Sequence, residues 1–213
     1  MKLYTYFRSS ASYRVRIALA LKGLAYEAEY VNLPRGEQQA DSYRRVNPQG
    51  LVPALEDGGR VLTQSLAIIE YLEERYPQPP LLPVEPFDRA YVRALAQIVA
   101  CEIHPLNNLR TLKHTRSVYR LDDSGVNAWY RHWIAEGFAM LEGMLARERR
   151  AGRYCLGDAV TIADCCLVPQ VFNAKRFDCD LAPYPIALGI FDECMRLDAF
   201  VATQPARQPD AVA

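Results

Sequence analysis

Hydrophobic and polar positions along the chain change rhythm at a single proline cluster. Before it, short stretches of period two and period 3.6 alternate. Residues 3–7 predict a strand, and residues 12–22 a helix with apolar Val15, Ala18, Leu19 and Leu21, stopped by Gly23. A second alternating strand is expected over 26–33 and a polar helix over 37–46. Residues 52–55 and 60–63 read as two short strands around the turn Asp57-Gly58-Gly59, followed by a helix over 65–76 carrying Leu66, Ile68, Ile69 and Leu72. Five prolines between Pro77 and Pro86 exclude helix and central strand, because each lacks an amide donor and fixes φ. After that linker only helices are predicted: 88 to about 113, 127–149, 161–177, 186–195 and 198–202. The pattern is therefore α/β followed by all-α. It sets domains at 1–80 and 87–204 and leaves a loose tail over 205–213 with little to bury.

One helix start is specific. Thr161 followed three residues later by Asp164 is a capping-box pattern, which fixes where a helix begins and carries no chemistry.

Composition narrows the function classes. A chain of 213 residues can bury a core without disulfide or metal staples. Lys plus Arg (25) equals Asp plus Glu (25), which argues against non-specific nucleic-acid binding and against a polybasic membrane role. No apolar run reaches the roughly 20 residues that span a bilayer, and no signal-peptide pattern opens the chain, so a cytoplasmic protein is expected. The six cysteines show no C-x-x-C and no zinc spacing. They are expected as buried free thiols, and no metal is expected.

Several residues are placed to carry chemistry. Ser9 and Ser10 lie between a strand and a helix N-terminus, where unpaired amides and the helix dipole favour an anion; plain helix capping is the alternative. Gln64 and Ser65 open another helix, with Ser65 as a ready N-cap and carboxylate receptor. His104 and Asn108 are four apart and share a helix face, with Arg110 close by and Pro105 as a kink; a solvated polar face is the alternative. Arg8, Arg110 and Arg176 could grip a carboxylate through the planar guanidinium fork, or be ordinary surface arginines. His114 and His132 have no motif around them and are expected on the surface.

The motifs carry a resemblance. The run from Ser9 to Leu19, S-S-A-S-Y-R-V-R-I-A-L, resembles the signature of zeta-class glutathione transferases. So do N-P-Q-G-L-V-P-A-L (47–55), Q-S-L-A-I-I-E-Y-L (64–72), A-D-C-C-L-V-P-Q-V (163–171), and A-K-R-F (174–177) with D-L-A-P-Y-P (180–185). The resemblance covers residues 1 to 200. The sequence departs at Ala11, where the family often has Cys, and at Tyr13, where it has Trp.

The resemblance implies a thioredoxin-like glutathione-binding domain followed by an all-helical domain, and a homodimer. It implies glutathione as cofactor, with Ser9 and Ser10 donating to its thiolate. Gln38, Val52 before a cis Pro53, Gln64, Ser65, His104, Asn108 and Arg110 would contact the tripeptide. Arg8, Arg110 and Arg176 would hold a small dicarboxylate. The implied activity is cis–trans isomerisation of maleylacetoacetate to fumarylacetoacetate, by reversible addition of the thiolate to the enone. Isomerisation of maleylpyruvate to fumarylpyruvate is the near alternative, to which Arg110 tilts. Conjugation of haloacids or other electrophiles, and a non-catalytic interaction module, are the remaining ones.

Overall fold

The first alternating stretch builds β1 (Lys2–Thr5), which sits inside a four-stranded sheet of order β2-β1-β3-β4. In the computed structural model, which describes residues 1–211, this sheet belongs to a unit formed by Met1–Leu81 and the segment from Arg196 onward. β2 (Glu27–Tyr30) runs parallel to β1 at the sheet edge and is largely exposed. The alternation over 26–33 predicts a longer strand, but β1 offers only four residues to pair with. β3 (Ala54–Asp57) and β4 (Arg60–Thr63) form an antiparallel hairpin closed by Gly58 and Gly59, both at positive φ, as a two-residue turn matching strand twist requires.

The first helix, α1 (Ser10–Leu21), is buried along its whole length from Ser10 to Leu19. It packs against α3 (Ser65–Arg75) and α9 (Asp198–Thr203). The polar helix expected over 37–46 is split: a 3-10 turn at Glu37–Gln39, an extended Ala40, then α2 (Asp41–Val46). Lys22, at the end of α1, is buried and donates to the Glu73 carboxylate (2.8 Å) and to the carbonyls of Tyr76 (2.7 Å) and Pro79 (2.9 Å). Glu73 also accepts from the Leu81 amide (2.9 Å), so the start of the proline segment is tied to α1 and α3.

By their contacts residues from Arg196 onward group with this unit, whereas the sequence pattern places the domain's end at 204. The tail expected to be loose is corrected through residue 211. It carries a 3-10 turn at Pro205–Arg207, and Asp210 accepts a hydrogen bond from the Phe7 amide. The last two residues of that expected tail lie outside the described residues.

The second unit, Leu82–Met195, is helical. Its helices are α4 (Pro86–Gln97), α5 (Leu109–Tyr119), α6 (Asp123–Glu148), α7 (Ile162–Arg176) and α8 (Pro185–Cys194). The helix expected to run from 88 to 113 is broken. Residues Ile98–Ile103 form a π-helical turn, the His104 amide reaches back five residues to the Val99 carbonyl (3.0 Å), and α5 starts afresh at Leu109. Pro105, which has no amide to continue a helix, follows at once. α7 is the buried axis of this unit, and the Thr161–Asp164 capping box is present at its start. Asp164 is fully buried, and it accepts from the amides of Cys155 (2.8 Å) and Thr161 (2.7 Å) and from the Thr161 hydroxyl (2.8 Å). Burial raises its carboxyl against the pull of those donors.

Cys155, Cys165, Cys166 and Cys194 are buried, Cys179 is half-buried and Cys101 is exposed, so burial describes four of the six thiols. Burial pushes the thiols of Cys155 and Cys165 well up, which leaves them protonated and inert. Among the described residues, no helix is long and apolar enough to cross a membrane, and no His, Cys, Asp and Glu cluster is placed to hold a metal ion.

Gly137 of α6 is where the π-helical turn seats. A Cβ there would lie 2.1 Å from Ile103 Cγ1 and 2.3 Å from Cδ1. Gly137→Ala should destabilise the protein by about 1–3 kcal/mol, the usual cost of overpacking a filled core. Urea unfolding followed by circular dichroism checks this, and in that background a second change, Ile103→Ala, which removes both crowding atoms, should cost less than it does alone.

Candidate active site

Ser9 is the N-cap of α1. Its Oγ accepts from the Ser12 amide (3.2 Å), which satisfies one of the helix's unpaired donors and leaves the hydroxyl hydrogen to be donated elsewhere. Ser9 is half-buried, whereas Ser10 is buried in the first helical turn. The N-terminal amides of a twelve-residue helix point toward Ser9, so a negative charge at its hydroxyl is favoured by the helix dipole as well as by the donor.

The turn that carries Ser9 has left the sheet, and its backbone groups find partners elsewhere. The Ser9 amide donates to the Tyr6 carbonyl (3.0 Å). Arg16, fully buried, donates from Nη1 to Tyr6 O (3.4 Å) and the Thr5 hydroxyl (3.1 Å), and from Nη2 to Phe7 O (3.0 Å). Its Nε reaches Thr203 O (3.1 Å). Burial lowers the Arg16 guanidinium to about 10, still high enough to keep it charged at neutral pH. Tyr13, where the family has Trp, uses the hydroxyl that Trp lacks to donate to Phe200 O (2.9 Å).

Val52 sits in a hydrophobic cluster with Tyr6, Phe7, Val31 and Tyr43, so the loop before β3 packs directly on the residues leading to Ser9. The Val52–Pro53 peptide is cis, as the sequence context predicts; Gln78–Pro79 is cis as well. The conformation of this loop is set by Asn47, which is buried. Asn47 Nδ2 and the Tyr43 hydroxyl both donate to Leu51 O (2.7 and 2.6 Å), and Asn47 Oδ1 accepts from the Gln49 amide (3.0 Å). Burial pushes the Tyr43 hydroxyl up to about 12, so it stays a donor.

Gln38 lies in the 3-10 turn, and that turn meets the same loop at Gly50. Gly50 has φ +62°, and a Cβ there would lie 3.1 Å from the Gln38 carbonyl oxygen. The side-chain oxygen Gln38 Oε1 is shielded from solvent and has no hydrogen-bond partner among the described residues. A shielded acceptor of this kind costs free energy unless a ligand donates to it.

Gln64, not Ser65, is the N-cap of α3, one residue earlier than the sequence predicts. It holds φ +70°, which non-glycine residues adopt at a cost and which concentrates at ligand sites. Gln64 Nε2 donates to Gln49 Oε1 (3.0 Å). Ser65, buried, is the first helical residue, and its Oγ accepts from Arg14 Nη1 (3.2 Å). Arg14 thus places a buried cation beside the α3 N-terminus, a second centre of positive potential for an anion. Within this unit Val52 shares a cluster with the residues leading to Ser9, Gln38 meets the same loop at Gly50, and Gln64 reaches it at Gln49; the two helix starts and the shielded Gln38 acceptor fit a small peptide with an anionic end. Arg8 is exposed, its guanidinium 5.2 Å from the Phe7 ring centroid and its Nη2 donating to the Tyr6 hydroxyl (3.2 Å).

The remaining candidates belong to the helical unit. His104 follows the π-helical turn, and Asn108 is the N-cap of α5, accepting from the Arg110 amide (3.1 Å). The two do not share one helix, as spacing predicts, because the chain breaks between them. They still meet, with Asn108 Nδ2 and His104 Nε2 3.4 Å apart. Arg110 is exposed. Arg176, at the end of α7, is also exposed and stacks its guanidinium on Phe177 (4.5 Å), whose ring in turn stacks on Tyr130 (3.6 Å). Burial pushes the Tyr130 hydroxyl up to about 12. His114 and His132 are exposed.

Arg14, Arg16 and Asn47 are absent from the residues singled out by sequence. For the arginines a signal exists: positions 14 and 16 of one helix point about 200° apart, so both cannot occupy one solvent face. Asn47 was visible within N-P-x-x-x-V-P, but only its burial shows that it braces the loop.

Comparison with known proteins matches residues 3–80 to the glutathione S-transferase N-terminal domain and residues 127–200 to the glutathione S-transferase C-terminal domain. A maleylpyruvate isomerase of Ralstonia sp is 51% identical over 211 residues, covering 99% of this chain and all of the relative. The holo structure of a maleylpyruvate isomerase, described as a bacterial zeta-class glutathione S-transferase, superposes with a TM-score of 0.97 at 50% identity, over all of both chains. A maleylacetoacetate isomerase of Methylobacterium extorquens AM1, solved with malonate and GSH, gives a TM-score of 0.97 at 44% identity, also over all of both chains. The chain belongs to the glutathione S-transferase family, within its zeta class.

Proposed function

We propose that the protein is a glutathione-dependent cis–trans isomerase acting on maleylacetoacetate. The observation that carries this reading is Ser9: a half-buried hydroxyl at the N-terminus of α1, already accepting from the Ser12 amide and so turned to donate. When bound, glutathione supplies a thiolate that adds to the enone and leaves again, freeing the carbon–carbon bond to rotate. Ser9 donates a hydrogen bond to the sulfur and, with the helix dipole, favours its ionised form. Ser10 is buried one residue on and has a supporting place.

The amides that open α3, with Ser65 and the Arg14 guanidinium behind them, receive the γ-glutamyl carboxylate. Val52 presents its backbone to the cysteinyl amide, and Gln38 Oε1 accepts from the glycyl amide N–H. Arg8 of the first unit and Arg110 and Arg176 of the second are the candidate cations for a dicarboxylate substrate that the resemblance implies, Arg8 and Arg176 each stiffened by an aromatic ring under the guanidinium. His104 and Asn108 add polar contacts to glutathione. Two copies form the active homodimer, and the cytoplasm is the expected compartment.

Maleylpyruvate is the second reading. Arg110 and the 51% identity to the Ralstonia enzyme favour it. The two substrates differ by one methylene between ketone and distal carboxylate, so discrimination should be modest, roughly 10–200-fold in kcat/KM. Turnover of both compounds by the same preparation, followed by ultraviolet absorbance, decides between them.

Ser9→Ala should lower kcat by about 10² or more, while Ser10→Ala should cost less, because Ser9 is the half-buried N-cap and Ser10 is buried in the first helical turn. Steady-state rates at saturating glutathione check this. Equal losses in the two variants would contradict the assignment of Ser9.

A further inference from the structure

We propose that Asp210 is a positioning residue for the Ser9 hydroxyl, acting through the Phe7 amide. This rests on the reading of Ser9 as the thiolate donor.

The turn from Tyr6 to Ser9 belongs to neither β1 nor α1, so its backbone groups have no sheet ladder to pair with. The Ser9 amide turns back to Tyr6 O, and two charged side chains supply further partners. Arg16 takes the carbonyls of Tyr6 and Phe7, and the Phe7 amide donates to Asp210 Oδ2 at 2.9 Å, across 203 positions of sequence. Both backbone groups of Phe7 are therefore held by charged side chains, two residues ahead of Ser9.

Asp210 is presented by a built segment. α9 is docked on α1 by Tyr13, whose hydroxyl donates to Phe200 O, and by Arg16, whose Nε donates to Thr203 O. Past α9 the chain makes its 3-10 turn, and Gln208 Nε2 donates back to the carbonyls of Ala202 and Gln204 (both 3.3 Å). The Ala211 amide then donates to Gln208 O (2.9 Å), and Ala211 packs on the cluster that contains Tyr6, Phe7 and Val52.

The second oxygen, Asp210 Oδ1, is shielded from solvent and has no hydrogen-bond partner among the described residues. A carboxylate kept half-satisfied costs more than an apolar contact would, so packing alone does not explain it. What the carboxylate supplies is a charge-assisted hydrogen bond that fixes one peptide plane, with the buried Arg16 cation balancing its charge. A hydroxyl donating to a thiolate depends steeply on distance and angle, so a small displacement of the Phe7 peptide is felt at Ser9.

The test uses the full chain and three proteins: wild type, Asp210→Ala, and Asp210→Asn. Asparagine keeps a side-chain oxygen that can accept from the Phe7 amide; alanine does not. The readout is the pH midpoint of the thiolate absorbance of bound glutathione near 240 nm, taken beside KM for glutathione, kcat and the melting temperature. Asp210→Ala should raise the midpoint and lower kcat about tenfold with a smaller change in KM, tenfold being the rate equivalent of one lost hydrogen bond of about 1.4 kcal/mol. Asp210→Asn should recover most of both. An Asp210→Ala protein that melts earlier but keeps the wild-type midpoint would overturn the proposal, leaving Asp210 a structural staple. So would an Asp210→Asn protein as impaired as Asp210→Ala. A wild-type protein whose bound glutathione shows no lowered midpoint would instead refute the reading of Ser9 itself.

Discussion

A cation buried inside the first helix organises the site. Arg16 has no solvent around it, and a charge in that position is tolerable only if its donors are used. It spends them on the Thr5 hydroxyl and the carbonyls of Tyr6, Phe7 and Thr203. The requirement to satisfy Arg16 therefore shapes the turn that carries Ser9 and brings α9 onto α1. The same helix carries Arg14 to Ser65 at the start of α3. One buried helix thus serves two anion-favouring helix starts, its own through Ser9 and that of α3 through Arg14.

The electrostatics follow a common plan. The chain has no net charge, yet positive potential is gathered at particular points by backbone amides and by arginines held in fixed geometry. Helix N-termini stabilise an anion without a titratable group nearby, so their effect does not vary across the physiological pH range. Tyr43, pushed up to about 12 by burial, likewise remains a neutral donor there.

Much of this is legible in the sequence, for identifiable reasons. The strands, the hairpin at Gly58-Gly59 and the capping box at Thr161 depend on local chemistry, and the structure has them close to their expected places. The helices α1 and α3 and the N-cap position of Ser9 are local in the same sense. What escaped depends on partners distant in sequence. Pro105 marks a kink in the sequence, but the π-helical turn before it seats Ile103 against Gly137, a contact that an apolar stripe cannot report. Residues 205–211 contain little to bury, and only a carboxylate meeting an amide 203 positions away shows that they belong to the site's scaffold. Gln38 was expected as a contact, but its shielded, unpaired oxygen is visible only in three dimensions.

The central claim is that glutathione is a recycled nucleophile held by Ser9. The most direct measurement is the total glutathione thiol in solution while maleylacetoacetate is converted to its trans isomer. Conversion should stop without glutathione and, with it, should run through many turnovers while the thiol count stays constant. Conversion at full rate without glutathione, or loss of one thiol per molecule converted, would contradict it.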